Sequence, residues 1–145
     1  MNQQGGSVGF RSWRAARLPH LAGLLDARPC YLPPGMTRGV DAVAGWGRKP
    51  VARAAAALAA RRGLPYYTVE DGFLRSLERS DPPLSIVVDD LGIYYDATRA
   101  SRLETLIPEP LSDDETARAG QVIEAWRNAR ASKYNYAREH EGDLP

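Results

Sequence analysis

The sequence predicts an α/β protein built on an open, Rossmann-like sheet, and three observations support that fold class. Short apolar runs typical of buried strands alternate with amphipathic or alanine-rich segments typical of helices. Gly and Pro stand at most of the boundaries between them. The resulting order of strand, helix, strand, loop, strand, helix is that of an open α/β sheet, and there are no internal repeats or heptads.

The first half of the chain predicts two helices and one strand. An amphipathic segment over 13–25 is expected to be helical, with Pro19 splitting the helix or marking its true start. The apolar run 41–46 is typical of a buried strand. Pro50 is well placed to open the next helix, and Gly63 to end it.

The second half predicts two strands, a third short strand and two helices. Aromatic and β-branched residues favour strands at 64–69 and 84–88, with a further short strand at 93–95. Helices are expected at 101–107 and at 112–131. Ser112 and Glu115 have the spacing of a capping box, in which each side chain bonds the other residue's backbone amide. Val122, Ile123 and Trp126 then form an apolar face.

Composition excludes several classes of protein. The 145 residues suit one domain, and 19 basic against 18 acidic side chains argue against nucleic-acid binding, which needs a clustered basic excess. A single cysteine, Cys30, excludes an internal disulfide and suits a reducing cytoplasm. The first residues lack the pattern of a secretory signal, and no apolar run approaches the ~20 residues that span a bilayer.

Polar clusters lie at the carboxyl ends of three predicted strands. In an open α/β sheet, ligands bind at these strand ends. In the first, Arg48 and Lys49 follow a strand and precede a helix. They are suited to a phosphate or carboxylate at the positive end of the helix dipole, and a solvated turn is the alternative.

The second cluster is Glu70, Asp71, Arg75 and Ser76, which lies around Gly72 at the end of a strand. Adjacent carboxylates point in different directions, so they do not form a matched acid/base pair, but one of them can bind sugar hydroxyls or act as a base. Arg75 can grip an anion bidentately or pair with either carboxylate. A purely structural ion pair therefore remains the alternative interpretation.

The third cluster runs from Asp89 to Asp96 and includes Tyr94 and Tyr95. Paired aspartates suggest a divalent metal, but the spaced DxD pattern is absent and no His is near. A turn held by Asp89 side-chain hydrogen bonds is the favoured interpretation. Nucleotide-binding glycine loops, nucleophile elbows and zinc motifs are also absent from the sequence.

Several motifs in this order closely resemble the KpsC-type capsule polysaccharide biosynthesis proteins, which are bacterial β-Kdo glycosyltransferases. They are GWGRKP at 45–50, GLPYYTVEDGFLRSL at 63–77, PPLSIVVDDLGIYYDAT at 82–98, SRLE at 101–104 and SKYN at 132–135. The resemblance covers roughly positions 10 to 136 and fits the amino-terminal part of one transferase module.

The resemblance implies the amino-terminal half of a GT-B-type module, in which two Rossmann-like domains face a cleft. It implies CMP-Kdo as donor, a lipid-linked Kdo acceptor, retention of configuration through an aspartate nucleophile, and no metal or other cofactor. In the family the nucleophile and a His-Pro pair that holds CMP lie downstream of the KYN motif, so no catalytic residue is assigned here. The expected division is a disordered start at 1–10, a Rossmann-like acceptor-side domain at 11–136, and a truncated interdomain linker at 137–145.

Six residues are expected to bind substrate on the basis of strand-end position and motif match. Arg75 and Arg102 would offset the carboxylates of Kdo, while three carboxylates would bind its hydroxyls. The full set is Glu70, Asp71, Arg75, Ser76, Asp96 and Arg102. The segment 77–81 is shorter than the corresponding family loop and lacks its Gly; altered acceptor fit and drift in a gene no longer under use are the two interpretations.

We therefore predict a chain that acts in capsular polysaccharide biosynthesis and export, as the acceptor-side domain of a retaining β-Kdo transferase that is incomplete as a single chain. A non-catalytic binding or scaffold module and a nonfunctional gene remnant are the alternatives. The expected partners are a lipid-linked Kdo acceptor and a separately encoded donor domain or capsule assembly proteins, with no nucleic acid. The expected location is the cytoplasm, at the inner face of the inner membrane, with at most peripheral membrane association.

Overall fold

A computed structural model of the chain describes residues 5–36, 39–78 and 80–135. The chain forms two units. The first is Met1–Glu70 with Ile86–Pro110, and the second is Asp71–Ser85 with Leu111–Pro145. The sheet and most helices belong to the first unit.

Five strands form one sheet in the order β2-β1-β3-β4-β5. Their bounds are β1 Ser7–Phe10, β2 Arg28–Tyr31, β3 Ala42–Trp46, β4 Tyr66–Asp71 and β5 Ile86–Asp89. The ladders that join β2, β1, β3 and β4 are all parallel; Val8, for example, lies opposite Pro29 on one side and Ala42 on the other. This strand order is that of a doubly wound sheet, so the predicted α/β, Rossmann-like class is confirmed.

Strand β1 corrects the expectation of a disordered start at 1–10 for residues 7–10, while residues 1–4 lie outside the described part of the chain. All four of its residues, Ser7–Phe10, are buried, and β1 pairs with β2 and β3. The side chain of Asp41 ties the start of β1 to β3, because it accepts hydrogen bonds from the Ser7 amide at 2.7 Å and the Ser7 hydroxyl at 2.8 Å. The pKa of Asp41 is lowered mainly by these two bonds.

Two further differences concern strands. β2 was not predicted, because Pro29 lies inside it; at the edge of a sheet, however, a missing N–H need not break a ladder bond. The short strand expected at 93–95 is wrong. That segment turns, with the Asp96 amide donating to the carbonyl oxygen of Ile93 at 2.9 Å.

The helices of the first unit follow the predicted punctuation. Pro19 lies between α1, Trp13–Ala16, and α2, Leu21–Leu25, so the predicted split occurs. α3, Pro50–Arg62, begins at the predicted proline and ends at Gly63, whose φ of 63° is the left-handed value that glycine adopts at little cost. α4, Arg102–Leu106, is capped by Ser101.

Two apolar clusters cover opposite faces of the sheet, as the alternation of strand side chains requires. Ala42 and Ala44 of β3 pack in one cluster with Phe10, Leu21 and residues of α1. Val43, between them, packs in the other cluster with Leu58 and neighbouring residues of α3. The sheet, with β3 in it, is therefore the middle of three layers, with α1 packed on one face and α3 on the other.

In the second unit, α5, Asp113–Asn128, carries the predicted capping box between Ser112 and Glu115. None of its residues is buried, and Ile123 of the predicted apolar face is 51% exposed. The predicted linker at 137–145 lies outside the described residues. Within the described part of the chain, no helix has the length and apolar character to cross a membrane.

Candidate functional site

In the first unit, the candidate site lies where β3, β4 and β5 end. Gly47 follows β3, and its amide donates to the Val69 carbonyl of β4 at 2.8 Å. Its φ of +62° is left-handed, and a Cβ there would lie 3.0 Å from an Oε of Glu70. Glycine therefore lets the backbone turn close beside the predicted Glu70 carboxylate.

Glu70 is bound by a tyrosine from the segment that follows β5. The Tyr95 hydroxyl donates to Glu70 Oε2 at 3.1 Å. Burial, followed by this hydrogen bond, raises the pKa of Tyr95 to about 12. The phenol therefore stays protonated at neutral pH and acts as a donor to the carboxylate, and the ring, 47% exposed, offers an apolar surface beside it.

Asp96, also predicted, is a buried carboxylate with three donors. It accepts from the Thr98 hydroxyl at 2.6 Å and the Thr98 amide at 3.1 Å, and Arg48 lies 2.9 Å from its other oxygen. The Thr98 bonds, more than the charges of Arg48 and Arg99, lower the pKa of Asp96. The arrangement brings the predicted Arg48 to Asp96 across 48 residues of sequence.

Arg102 pairs with the second aspartate of the Asp89–Asp90 pair. Its guanidinium donates to both oxygens of Asp90, at 2.8 and 2.6 Å, a fork that lowers the pKa of Asp90. Asp89 holds the predicted turn, because one of its oxygens accepts from the amides of Leu91 and Gly92 at 2.8 and 2.7 Å. Across the described residues no group of three or more His, Cys, Asp or Glu is arranged to hold a metal ion.

The remaining predicted residues lie in the second unit. Arg75 contacts Asp71 at 3.4 Å and Ser76 Oγ at 3.0 Å, and it also donates to the backbone carbonyl of Asp81. The structural ion pair that the sequence left open is therefore made to Asp71. Ser76 is fully buried.

The second unit also joins two of the sequence motifs that lie far apart in the chain. The Arg75 amide donates to the Lys133 carbonyl at 3.0 Å, and Asn135 donates to the Ser76 carbonyl at 3.2 Å. Ser76 and Tyr134 form a β-bridge. The FLRS and KYN segments are thus paired along their backbones.

Sequence reasoning did not select Thr98, Tyr66 or Arg99 for the site. The Asp96-x-Thr98 spacing is a local signal for an Asx-type turn and could have identified Thr98. Tyr66 donates to the Ala52 carbonyl of α3 at 3.2 Å, a contact between two elements that no local pattern announces.

Comparison with known proteins gives concordant matches. The family model of the capsule polysaccharide biosynthesis proteins matches residues 41–141. The chain is 42% identical over 134 residues to the capsule polysaccharide modification protein LipA of Neisseria meningitidis serogroup A. The matched region covers 89% of the chain and 19% of LipA. The chain is also 48% identical over 67 residues to the lipopolysaccharide-processing protein LpsZ of Rhizobium meliloti, covering 44% of the chain and 15% of LpsZ.

Among solved structures, Thermosulfurimonas dismutans KpsC, a beta Kdo 2,4 transferase, superimposes with a TM-score of 0.84 at 38% identity. The match covers 99% of this chain and 46% of that one. The chain thus spans about a fifth of the length of LipA and under half of the matched KpsC chain. The fold is that of a GT-B-type Kdo transferase over the matched region.

Proposed function

The chain belongs to the capsule polysaccharide biosynthesis protein family, and from that premise we propose that it is the acceptor-side part of a β-Kdo transferase. The observation that carries the proposal is the match to KpsC, at 38% identity and a TM-score of 0.84 over nearly the whole chain. Similarity at that level extends through the strand-end segments that carry the polar clusters. The donor would be CMP-Kdo, and the acceptor a lipid-linked Kdo of the capsule linker.

In the first unit, the geometry suits Glu70 to binding an acceptor hydroxyl. A carboxylate at the end of a strand accepts hydrogen bonds from sugar hydroxyls, and the neutral Tyr95 phenol holds it in place at 3.1 Å. The half-exposed Tyr95 ring would pack against a sugar face. Glu70 is therefore the residue of the predicted set on which the proposal depends most.

Asp96 and Arg102 have a weaker case for direct substrate contact, because both side chains already have internal partners. Asp96 would orient Arg48, which is 57% exposed at the same edge. Arg102 would bind a Kdo carboxylate only by sharing or leaving Asp90. These pairings fit a structural role for both side chains.

In the second unit, Arg75 is the residue best suited to an anion, with Asp71 and Ser76 as its neighbours. Its side chain remains 22% exposed while it bonds Asp71. We propose that it offsets a Kdo carboxylate and that Asp71 binds a hydroxyl. The aspartate nucleophile and the CMP site would come from a second domain, either on the same polypeptide or separately encoded.

We propose that the chain acts in the cytoplasm, at the inner face of the inner membrane, alongside other capsule assembly proteins. Peripheral association would suffice for a lipid-linked acceptor, since a sugar head group projects from the bilayer. The family membership supports this placement.

A graft tests the function. The 145 residues replace the corresponding segment of T. dismutans KpsC, and Kdo transfer from CMP-Kdo to a Kdo-terminated acceptor is measured. We expect transfer by the graft, and a kcat/KM about tenfold or more lower for Glu70→Gln, because a hydrogen bond to a charged group contributes ~1.5–3 kcal/mol.

Controls in the same graft separate the alternatives. Glu109→Gln, at an exposed residue beyond α4, is the matched charge removal and should leave kcat/KM unchanged. A folded graft without transfer would favour the binding module. An active graft whose kcat/KM is unaffected by Arg75→Ala would show that the role assigned to Arg75 is wrong.

A further inference from the structure

The first unit also contains a cavity of about 210 Å³ between α3, β4 and the segment 92–99, which shares Gly47, Arg48 and Asp96 with the candidate site. α3 lines it with Ala52, Arg53 and Ala56, and β4 lines it with Tyr66 and Thr68. Gly47 and Gly92 also line it; both are buried, and their amides already donate to Val69 and Asp89. Glu70 and Arg102 are not part of its lining.

The cavity carries an excess of positive charge. Three exposed arginines line it, Arg48, Arg53 and Arg99, and Asp96 is the one acidic residue in the lining. Arg48 is paired with Asp96 at 2.9 Å. Within the described part of the chain, Arg53 and Arg99 form no salt bridge, although the charge of Arg99 also acts on Asp96.

One further feature adds to the preference for an anion. It is not the Tyr66 hydroxyl, whose pKa burial raises and whose proton is donated to the Ala52 carbonyl of α3. The cavity lies at the first turns of α3, a helix of 13 residues whose N-cap, Lys49, supplies no side-chain acceptor. The positive end of the helix dipole therefore adds to the field of the arginines.

The size of the cavity limits the ligand. Pockets for drug-sized ligands measure ~300–1,000 Å³, so 210 Å³ suits one anionic group or one sugar ring rather than a whole nucleotide sugar. A neutral hydroxyl would leave Arg53 and Arg99 without a salt-bridge partner. A phosphate or carboxylate would be bound by them in the planar, two-bond geometry that arginine provides.

We propose that this cavity binds one oxyanion of the acceptor, through Arg53 and Arg99. The proposal rests on the proposed function for the identity of the acceptor, and it assigns the cavity to anion recognition beside the sugar-hydroxyl site at Glu70. The oxyanion is either the carboxylate of an acidic sugar or the phosphate of the lipid anchor, since both present two or more oxygens to a guanidinium.

Calorimetric titration of the 145-residue chain with inorganic phosphate, free Kdo and glucose tests the proposal. We expect phosphate and Kdo to bind and glucose not to bind. Arg53→Gln and Arg99→Gln should each weaken oxyanion binding about tenfold or more. Arg61→Gln, which removes the same charge at the far end of the same helix, should change it less than about twofold, since a tenfold change corresponds to 1.4 kcal/mol.

The relative affinities identify the source of the oxyanion. Tighter binding of Kdo favours a sugar carboxylate, and tighter binding of phosphate favours the lipid anchor. Backbone amide shifts of the unmodified chain on adding phosphate should be largest at Gly47 and Gly92, which locates the site even if one arginine variant fails to fold. Circular dichroism checks the folding of each variant.

Absence of oxyanion binding by the unmodified chain would overturn the proposal, as would an Arg61→Gln effect equal to that of Arg53→Gln and Arg99→Gln. The proposed function fails in a different way. Loss of Kdo transfer in the graft with oxyanion binding retained contradicts the transferase proposal alone, whereas transfer without oxyanion binding contradicts the cavity proposal alone.

Discussion

Individual residues at the end of the sheet owe their positions to glycine and to buried hydrogen bonds. Gly47 adopts a φ of +62° beside Glu70, and Asp96 is held by Thr98 and Arg48. Both positions serve to place a carboxylate, and both can be tested by the stability of the folded chain.

Gly47→Ala should lower the free energy of unfolding by about 1–2 kcal/mol, because a Cβ is strained in the left-handed region. It would also crowd Glu70 Oε2 at 3.0 Å. For a domain of this size the melting temperature should fall by roughly 2–8 °C. Gly120→Ala, in the middle of α5 where a Cβ meets nothing within 4 Å, is the control and should not destabilise the chain. Equal melting temperatures for Gly47→Ala and the unmodified chain would contradict the account.

Asp96 should make stability depend on pH in the acid range. Its pKa in the folded chain is lowered, chiefly by the Thr98 hydrogen bonds, from a value of about 3.9 when unfolded. The stabilisation by ionised Asp96 is therefore fully present above the unfolded-state pKa of about 3.9. It is lost as the pH falls through the lower pKa of the folded chain. Asp96→Asn should be less stable than the unmodified chain at pH 7, and the difference should shrink towards pH 2.

Denaturant unfolding across that pH range measures the effect. Thr98→Val, which removes the hydroxyl donor and leaves the backbone amide, should show a smaller loss in the same direction. A difference between Asp96→Asn and the unmodified chain that stays constant from pH 7 to pH 2 would show that the carboxylate is not held as described.

At the scale of elements, prediction succeeded where the signal is local. α3 is bounded by Pro50 and Gly63, and α5 begins with the Ser112–Glu115 box, so each can be located from adjacent residues alone. β1 and β2 are strands because of pairing with distant residues. β1 and β2 have four residues each, and Gly9 in β1 and Pro29 in β2 give them little local preference for a strand. The hydrogen bonds of the parallel β1–β2 pairing stabilise the strand conformation instead.

Strand β1 gives the element-scale prediction. Phe10 is 1% exposed within the core cluster, whereas Phe73, the other phenylalanine of the chain, is 46% exposed. Phe10→Ala should cost about 3–5 kcal/mol of unfolding free energy through lost burial and a cavity, and Phe73→Ala should cost much less. Chemical denaturation of both variants measures this, and similar losses would contradict a buried β1.

The same reasoning separates the predictable part of the site from the rest. Glu70 could be selected because polar residues at strand ends are the expected ligand contacts in an α/β sheet, whereas Asp96 follows an expected strand at 93–95 that does not form. The partners of Glu70 and Asp96 could not be predicted from the sequence. Arg48 meets Asp96 and Tyr95 meets Glu70 only once β3, β4 and the 92–99 segment are assembled. Arg53 faces a cavity that sequence alone does not reveal.

At the scale of the whole molecule, the chain belongs to the capsule polysaccharide biosynthesis protein family and covers only part of the length of its relatives. It carries a doubly wound sheet whose carboxyl edge bears Glu70 and Tyr95, with an arginine-lined cavity in the same unit. The central claim is that this edge holds a sugar acceptor, and it can be examined without a donor domain.

The most direct measurement is a backbone amide titration of the chain with a soluble, Kdo-terminated acceptor. We expect shifts that cluster at Gly47, Glu70 and Tyr95, near the carboxyl ends of β3 and β4. Shifts confined to the opposite edge, around Ser7 and Asp41, or no shifts in a folded chain, would contradict it.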